Sequence, residues 1–145
     1  MKIDIEAFKK PCACGHKHDV VVEDIIIEKG AVEKLPEIMK RTSFADKKNV
    51  VMLCDENTYE AAGRKVAELL PGIKTIMLDS RDLHANEKGV GEAKLGLNQV
   101  GAVDLMIAVG SGTIHDITRY HAYNMGIDFI SVPTAASVDG YVSTV

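Results

Sequence analysis

The chain has no tryptophan, three cysteines and no apolar stretch near the roughly 20 residues that a membrane-spanning helix needs. That last absence excludes a membrane protein of the helical kind. The amino-terminal MKIDIEAFKK lacks the apolar core of a secretory leader, and an odd number of cysteines does not suggest a disulfide framework. A reducing cytoplasm is the expected compartment. Excess positive charge is missing too: the net charge is −4, acids and bases are interspersed, and the aromatics that interleave with bases in single-strand binders are absent. Nucleic acid and membrane are therefore not expected partners. There is no internal repeat and no low-complexity segment. What is present is the composition of a globular chain, 46% hydrophobic and 26% charged over 145 residues, enough for one domain with a core.

From Val20 onward short β-branched runs alternate with longer segments of helical period, the pattern of a parallel sheet covered by helices. Strands are expected at Val20–Glu28, Asn49–Cys54, Lys74–Leu78, Asp104–Val109 and Asp128–Val132. Runs such as VVMLC and LMIAV suit strands buried on both faces. Helices are expected at Thr58–Leu70, with a stripe of Tyr59, Ala62, Val66 and Leu69, and at Ala31–Lys40, where Pro36 is placed to restart or kink the helix. Thr113–Met125 is a further helix, and so is Glu87–Val100 in spite of Gly89, Gly91 and Gly96, each costing about 1 kcal/mol in a helix interior.

Three segments carry candidate chemistry. CACGHKH places Cys12, Cys14, His16 and His18 together, and thiolates with imidazoles are zinc ligands. No second cysteine pair follows to complete a structural site, so a small-residue arm is the alternative, and the role of these four residues stays open. GSGTIHD runs from the apolar DLMIAV through Gly110, Ser111 and Gly112 into a helix, and a glycine turn at a helix amino terminus is an anion site. Thr113 with Asp116 three positions on also fits a helix cap. No third glycine completes the dinucleotide fingerprint, and the strand-end acid, Asp55 in LCDENT, precedes the glycines instead of following them. Asp55 suits a ribose hydroxyl or a helix cap. The terminal PTAASVDGYVSTV follows a strand, so Thr134, Ser137, Asp139 and Ser143 should face the same crevice; an ordinary solvated turn around Gly140 is the other reading.

GSGTIHD followed by SVPTAASVDGYVS resembles the sn-glycerol-1-phosphate dehydrogenases, including the bacterial AraM-like branch, in the superfamily of glycerol dehydrogenases, iron-dependent alcohol dehydrogenases and dehydroquinate synthases. The amino-terminal Cys-x-Cys-Gly element and the strand-end Asp55-x-Asn57-Thr58 agree with it. The resemblance implies an α/β fold: a Rossmann-like parallel sheet flanked by helices, the amino-terminal domain of a two-domain, dehydroquinate synthase-like enzyme. Residues 1–145 would be the NAD(P)-binding domain, and the ending after Val145 a cut before a helical, metal-binding domain missing from the chain. The activity implied is NAD- or NADP-dependent interconversion of dihydroxyacetone phosphate and sn-glycerol 1-phosphate. A glycerol or other polyol dehydrogenase of the same superfamily, or a non-catalytic nucleotide-binding module, is the alternative.

Position by position, the resemblance gives Asp55 to the adenosine ribose and Gly110, Ser111, Gly112, Thr113 and Ile114 to the pyrophosphate. It gives Thr134, Ala135, Ala136 and Ser137 to the nicotinamide half, Asp139 to substrate and Ser143 to the cofactor. Ser111 stands where the family more often has the middle of three glycines. Catalytic metal ligands have no counterpart here; a divalent zinc or nickel ion is expected in the full-length enzyme only, and the isolated chain is expected to be inactive. His115 and His121 are read as helix-surface or packing residues. The partner expected is a small phosphorylated polyol, with a homo-oligomeric full-length enzyme left open.

Overall fold

The computed structural model describes residues 3–17, 20–41, 43–138 and 140–142. Four parallel strands make one sheet in the order β2-β1-β3-β4: β1 (Val50–Asp55), β2 (Lys74–Leu78), β3 (Leu105–Gly110) and β4 (Asp128–Pro133). The two central strands are the two continuous apolar runs, and from Val51 to Asp55 and across all of β3 every residue is buried. Strands without a polar face need cover on both sides, and helices supply it. Val51, Leu53, Met106 and Ala108 face α5 (Glu87–Val100) and α6 (Gly112–Met125). Met52, Cys54, Ile107 and Val109 face Leu35 of α2 (Leu35–Ile38) and Val66 of α4 (Arg64–Leu69). A fifth, short helix, α1 (Ile5–Phe8), lies in the amino-terminal arm.

Between β1 and α4 the chain is helical throughout, as α3 (Glu56–Thr58) and then a π-helical turn over Tyr59–Gly63. The wider turn moves the apolar stripe on by one residue. Ala67 and Leu70, rather than the predicted Leu69, join Val66, Tyr59 and Ala62 on the sheet. Pro36 sits in the first turn of α2, after a 3-10 turn at Ala31–Lys34, so it restarts the helix instead of bending it. Glu87–Val100 is a helix despite its glycines because two of them are contact points. A Cβ on Gly96 would lie 2.5 Å from Ile76 Cγ2 of β2, and one on Gly89 would lie 2.2 Å from the His84 carbonyl oxygen. Close packing there offsets their poor helix propensity.

The predicted strand Val20–Glu28 is a correction. Beyond an isolated bridge at Ile26 the segment is irregular, with Val21 72% and Ile27 52% exposed. A β-branched run becomes a strand only where a neighbour pairs with its backbone along its length, and among the described residues the sheet has four strands, of which this segment is not one. Among the described residues no helix is long and apolar enough to cross a membrane.

Candidate functional site

From β1 the chain steps outward to β2, then returns past β1 to β3 and on to β4, so the direction of winding reverses between β1 and β3. In open α/β sheets ligands bind beyond the carboxyl ends of strands at that reversal. The four strand ends are level: Asp55 pairs with Leu78 and Gly110 with Pro133, and Leu53 opposite Ala108 puts the ends of β1 and β3 side by side. Asp55 and Gly110 thus end the two strands that border the reversal. Both are residues expected at the site from the sequence.

Asp55 is buried and spends one carboxylate oxygen on its own helix. Oδ1 accepts from the Thr58 backbone N–H at 2.8 Å, while Thr58 Oγ1 accepts from the Asp55 N–H at 3.0 Å, a complete capping box. Glu56 follows in the same turn and accepts the Ser80 N–H at 2.8 Å, tying the loop after β2 to this helix. Those backbone donors, led by the one at Glu56 itself, hold its carboxyl below the usual range. Beneath them Cys54 is pushed up to about 12, first by burial and then by the charges of Asp55 and Glu56, so it is an inert core thiol.

The turn after β3 is finished differently. Ser111 occupies the N-cap position in extended conformation, its side chain makes no cap bond, and the first turn of α6 contains no acid. The expectation that Thr113 and Asp116 form the cap is therefore corrected: the helix starts at Gly112, one residue earlier, and Asp116 instead faces Arg119, Oδ1 to Nη1 at 3.4 Å. The N–H groups of a helix's first turn have no intrahelical acceptor, and here the Ser111 side chain does not cap them, which is the local chemistry that suits an anion. The glycines serve close packing within the protein: a Cβ on Gly110 would lie 2.6 Å from Ile114 Cβ, and one on Gly112 would lie 2.9 Å from Val138 Cγ1. Ile114 itself is core.

The loop after β4 comes to this turn. The Thr134 N–H donates to the Gly110 carbonyl at 3.0 Å, extending the β3–β4 pairing by one bond, and Val138 rests on Gly112. Ala135, Ala136 and Ser137 are exposed beside it. Asp139 and Ser143 lie outside the described residues. Three residues not expected at the site from the sequence surround this loop. Tyr141 donates its hydroxyl to the Ala135 carbonyl at 2.5 Å, Arg119 Nη2 donates to the Gly140 carbonyl, and His115 packs against the Tyr141 ring. His115 is 1% exposed and gives its Nδ1 proton to the Ser111 carbonyl at 2.8 Å, and burial pushes its pKa down, keeping the ring neutral. His121 is also a packing residue, its Nε2 3.0 Å from the Val90 carbonyl. In the amino-terminal arm Cys12 and Cys14 are exposed, His18 is outside the described residues, and among the described residues no three His, Cys, Asp or Glu side chains are grouped to hold a metal ion.

Fold and strand-end geometry define an open parallel α/β domain with an uncapped glycine turn at its point of reversal. The chain belongs to the iron-containing alcohol dehydrogenase family, whose pattern residues 26–145 match. Among curated proteins it is 36% identical over 140 residues to the glycerol-1-phosphate dehydrogenase (NAD(P)+) of Halalkalibacterium halodurans, covering 91% of this chain and 34% of that one. It is 41% identical over 129 residues to the enzyme of the same name from Bacillus velezensis, covering 86% and 32%. The chain thus spans about a third of the length of the curated relatives it matches. Among solved structures, glycerol dehydrogenase from Schizosaccharomyces pombe superposes with a TM-score of 0.58 at 20% identity, over 75% of this chain and 27% of that one, which is a likeness of fold.

Proposed function

We propose that this chain is the cofactor-binding part of an NAD(P)-dependent dehydrogenase that interconverts dihydroxyacetone phosphate and sn-glycerol 1-phosphate. The observation that carries the proposal is the meeting of the two segments GSGTIHD and PTAAS, joined by the Thr134 N–H bond to Gly110 at the reversal point of the sheet. Relatives named for this activity and for NAD(P)+ support it. The residues present fit such a cofactor in charge: the Ser111 side chain leaves the first N–H groups of α6 uncapped, and no acid stands in its first turn to repel a pyrophosphate. Asp55 has a second carboxylate oxygen beyond the one that caps α3, available to accept from a ribose hydroxyl.

When bound, the cofactor supplies or accepts the hydride that converts the substrate carbonyl carbon to a carbinol and back. This chain's part is to hold it. Gly110 to Ile114 would take the pyrophosphate, Thr134 to Ser137 the nicotinamide half, and Ser143 a further cofactor contact. Asp139 would orient substrate hydroxyls. A divalent metal that polarises the substrate oxygen would be held, in this reading, by a second, helical domain.

Reduction of dihydroxyacetone phosphate by the full-length protein tests this, with NADH and NADPH compared and zinc or nickel added. Turnover should require the phosphate ester, and the isolated 145 residues should give none. Equal or better rates with unphosphorylated dihydroxyacetone would shift the assignment to a glycerol or polyol dehydrogenase; nucleotide binding without turnover on either would leave a binding module.

A further inference from the structure

The loop that leaves β4 is fastened twice, once to itself and once to α6. Tyr141, in the 3-10 turn Gly140–Val142, folds back so that its hydroxyl donates to the Ala135 carbonyl at 2.5 Å and lies 3.4 Å from Ser137 Oγ. Its ring meets His115 edge-on, centroids 4.7 Å apart at 76°. One helical turn further along α6, Arg119 donates Nη2 to the Gly140 carbonyl. Because Val138 also rests on Gly112, Ala135–Val138 and Gly140–Tyr141 together form a ring of contacts over the amino end of α6.

The polar groups that close this ring are held under poor solvation. The Arg119 side chain is 21% exposed, and its Nε is buried without a partner among the described residues; so is His115 Nε2. Buried nitrogens without partners destabilise a fold, and an apolar residue at either position would cover the helix as well. What an apolar residue could not do is fix the loop in one place. Guanidinium to carbonyl and phenol to carbonyl bonds are directional, so they set position where packing alone allows several.

We propose that Arg119 and Tyr141 are positioning residues for the nicotinamide half of the cofactor: they hold Thr134–Ser137 at a fixed spacing from Gly110–Gly112. The proposal rests on the dehydrogenase reading above, since it is the cofactor that would span the two segments. With the Tyr141 hydroxyl committed to Ala135, its oxygen can accept from Ser137, which leaves the Ser137 lone pairs for a donor such as a carboxamide. Misplacing a binding segment by an ångström costs as much as about a hundredfold in rate. Loss of the fastening should therefore appear at the nicotinamide end and not at the adenosine end.

The test uses the full-length protein with Arg119→Ala, Arg119→Lys and Tyr141→Phe, and it compares NADH with ADP-ribose, which lacks the nicotinamide. In Arg119→Ala and Tyr141→Phe, NADH affinity and kcat/KM should fall at least about tenfold while ADP-ribose affinity stays within about twofold. Amide exchange at Thr134 should speed up in Arg119→Ala, with the β1 and β3 amides unchanged. Arg119→Lys keeps a donor for the Gly140 carbonyl and should recover most of the loss. Equal losses of NADH and ADP-ribose would mean a general structural role and would overturn the proposal, as would no loss of either. A wild-type protein that binds NADH but does not reduce dihydroxyacetone phosphate sinks the substrate reading alone, and the affinity split still decides this one. A wild type that binds neither nucleotide overturns both.

Discussion

At Asp55 a buried strand runs into a helix whose first N–H groups are met by the chain's own carboxylate, with a second acid in the next position. At Ser111, after the neighbouring strand, the same change of direction is made without a cap bond from the N-cap side chain and with no acid in the first turn. The two turns stand side by side at the reversal of the sheet, so the difference is not one of exposure or of edge against centre. It lies in who satisfies the helix terminus. The α3 terminus is capped by its own strand-end carboxylate, whereas the side chain at the α6 N-cap makes no such bond; under the proposed function a negative nucleotide would be drawn to the second and oriented by the carboxylate at the first.

The hardest way to break this arrangement is to put a side chain at Gly110. A Cβ there would meet the branched Ile114 Cβ at 2.6 Å inside the core, with no flexible end to move aside. Gly110→Ala should cost about 1–3 kcal/mol, read as a lower urea midpoint, and should weaken NADH binding as α6 is pushed off its strand. Gly91→Ala in α5, where no atom lies within 4 Å, is the control and should stabilise by about 0.5–1 kcal/mol.

The capped turn yields the next largest effect. Asp55→Ala removes the acceptor for the Thr58 N–H and should cost about 1 kcal/mol in thermal or urea unfolding. Asp55→Asn keeps an acceptor of equal capping quality and should lose little stability. If Asp55 also faces the ribose, Asn should shift the NADPH to NADH affinity ratio of the full-length protein toward NADPH by about tenfold, through loss of like-charge repulsion with a 2′-phosphate. An unchanged ratio would restrict Asp55 to its cap.

How far these turns could be read from sequence follows from the range of the interactions that make them. VVMLC ending in Asp55 and LMIAV ending in Gly110 announce buried strands and their exits, because burial on both faces leaves a local mark. The capping box is also local, three residues wide, and the cap is one of the two roles that the sequence allows Asp55. Val20–Glu28 misled because a strand needs a partner that its own residues cannot reveal. Thr113 misled because capping patterns recur by chance within a residue of a true helix start. Arg119 left no mark at all: it meets a backbone carbonyl 21 residues away, and such an acceptor has no sequence signature, whereas Tyr141 lies within SVPTAASVDGYVS without a role that the string reveals.

A smaller effect comes from Glu56, which strengthens the closed turn. Its carboxyl is held low in the folded state by backbone donors, so it contributes stability above the unfolded carboxyl pKa of about 4.3 and loses it as the pH falls through the lower folded value. Glu56→Gln should therefore lower the melting temperature at pH 7, and the gap to wild type should shrink below about pH 4. A gap independent of pH would mean that the bond to the Ser80 N–H acts through shape alone.

The smallest change expected is at the open turn itself. Ser111 has φ −82° and ψ −171°, a conformation any residue adopts, and its hydroxyl makes no cap bond. Replacing an N-cap serine by glycine ordinarily costs a few tenths of a kcal/mol, and here even the bond that such a serine would lose is missing. Ser111→Gly, which restores three successive glycines, should leave the melting temperature nearly unchanged and alter NADH affinity by no more than about twofold. The outcome discriminates because the open turn is proposed to bind through backbone N–H groups, which the substitution keeps. A large loss of affinity would show that the hydroxyl, not the backbone, makes the contact, and the contrast with Asp55 would then be between two side chains instead of between a closed terminus and an open one.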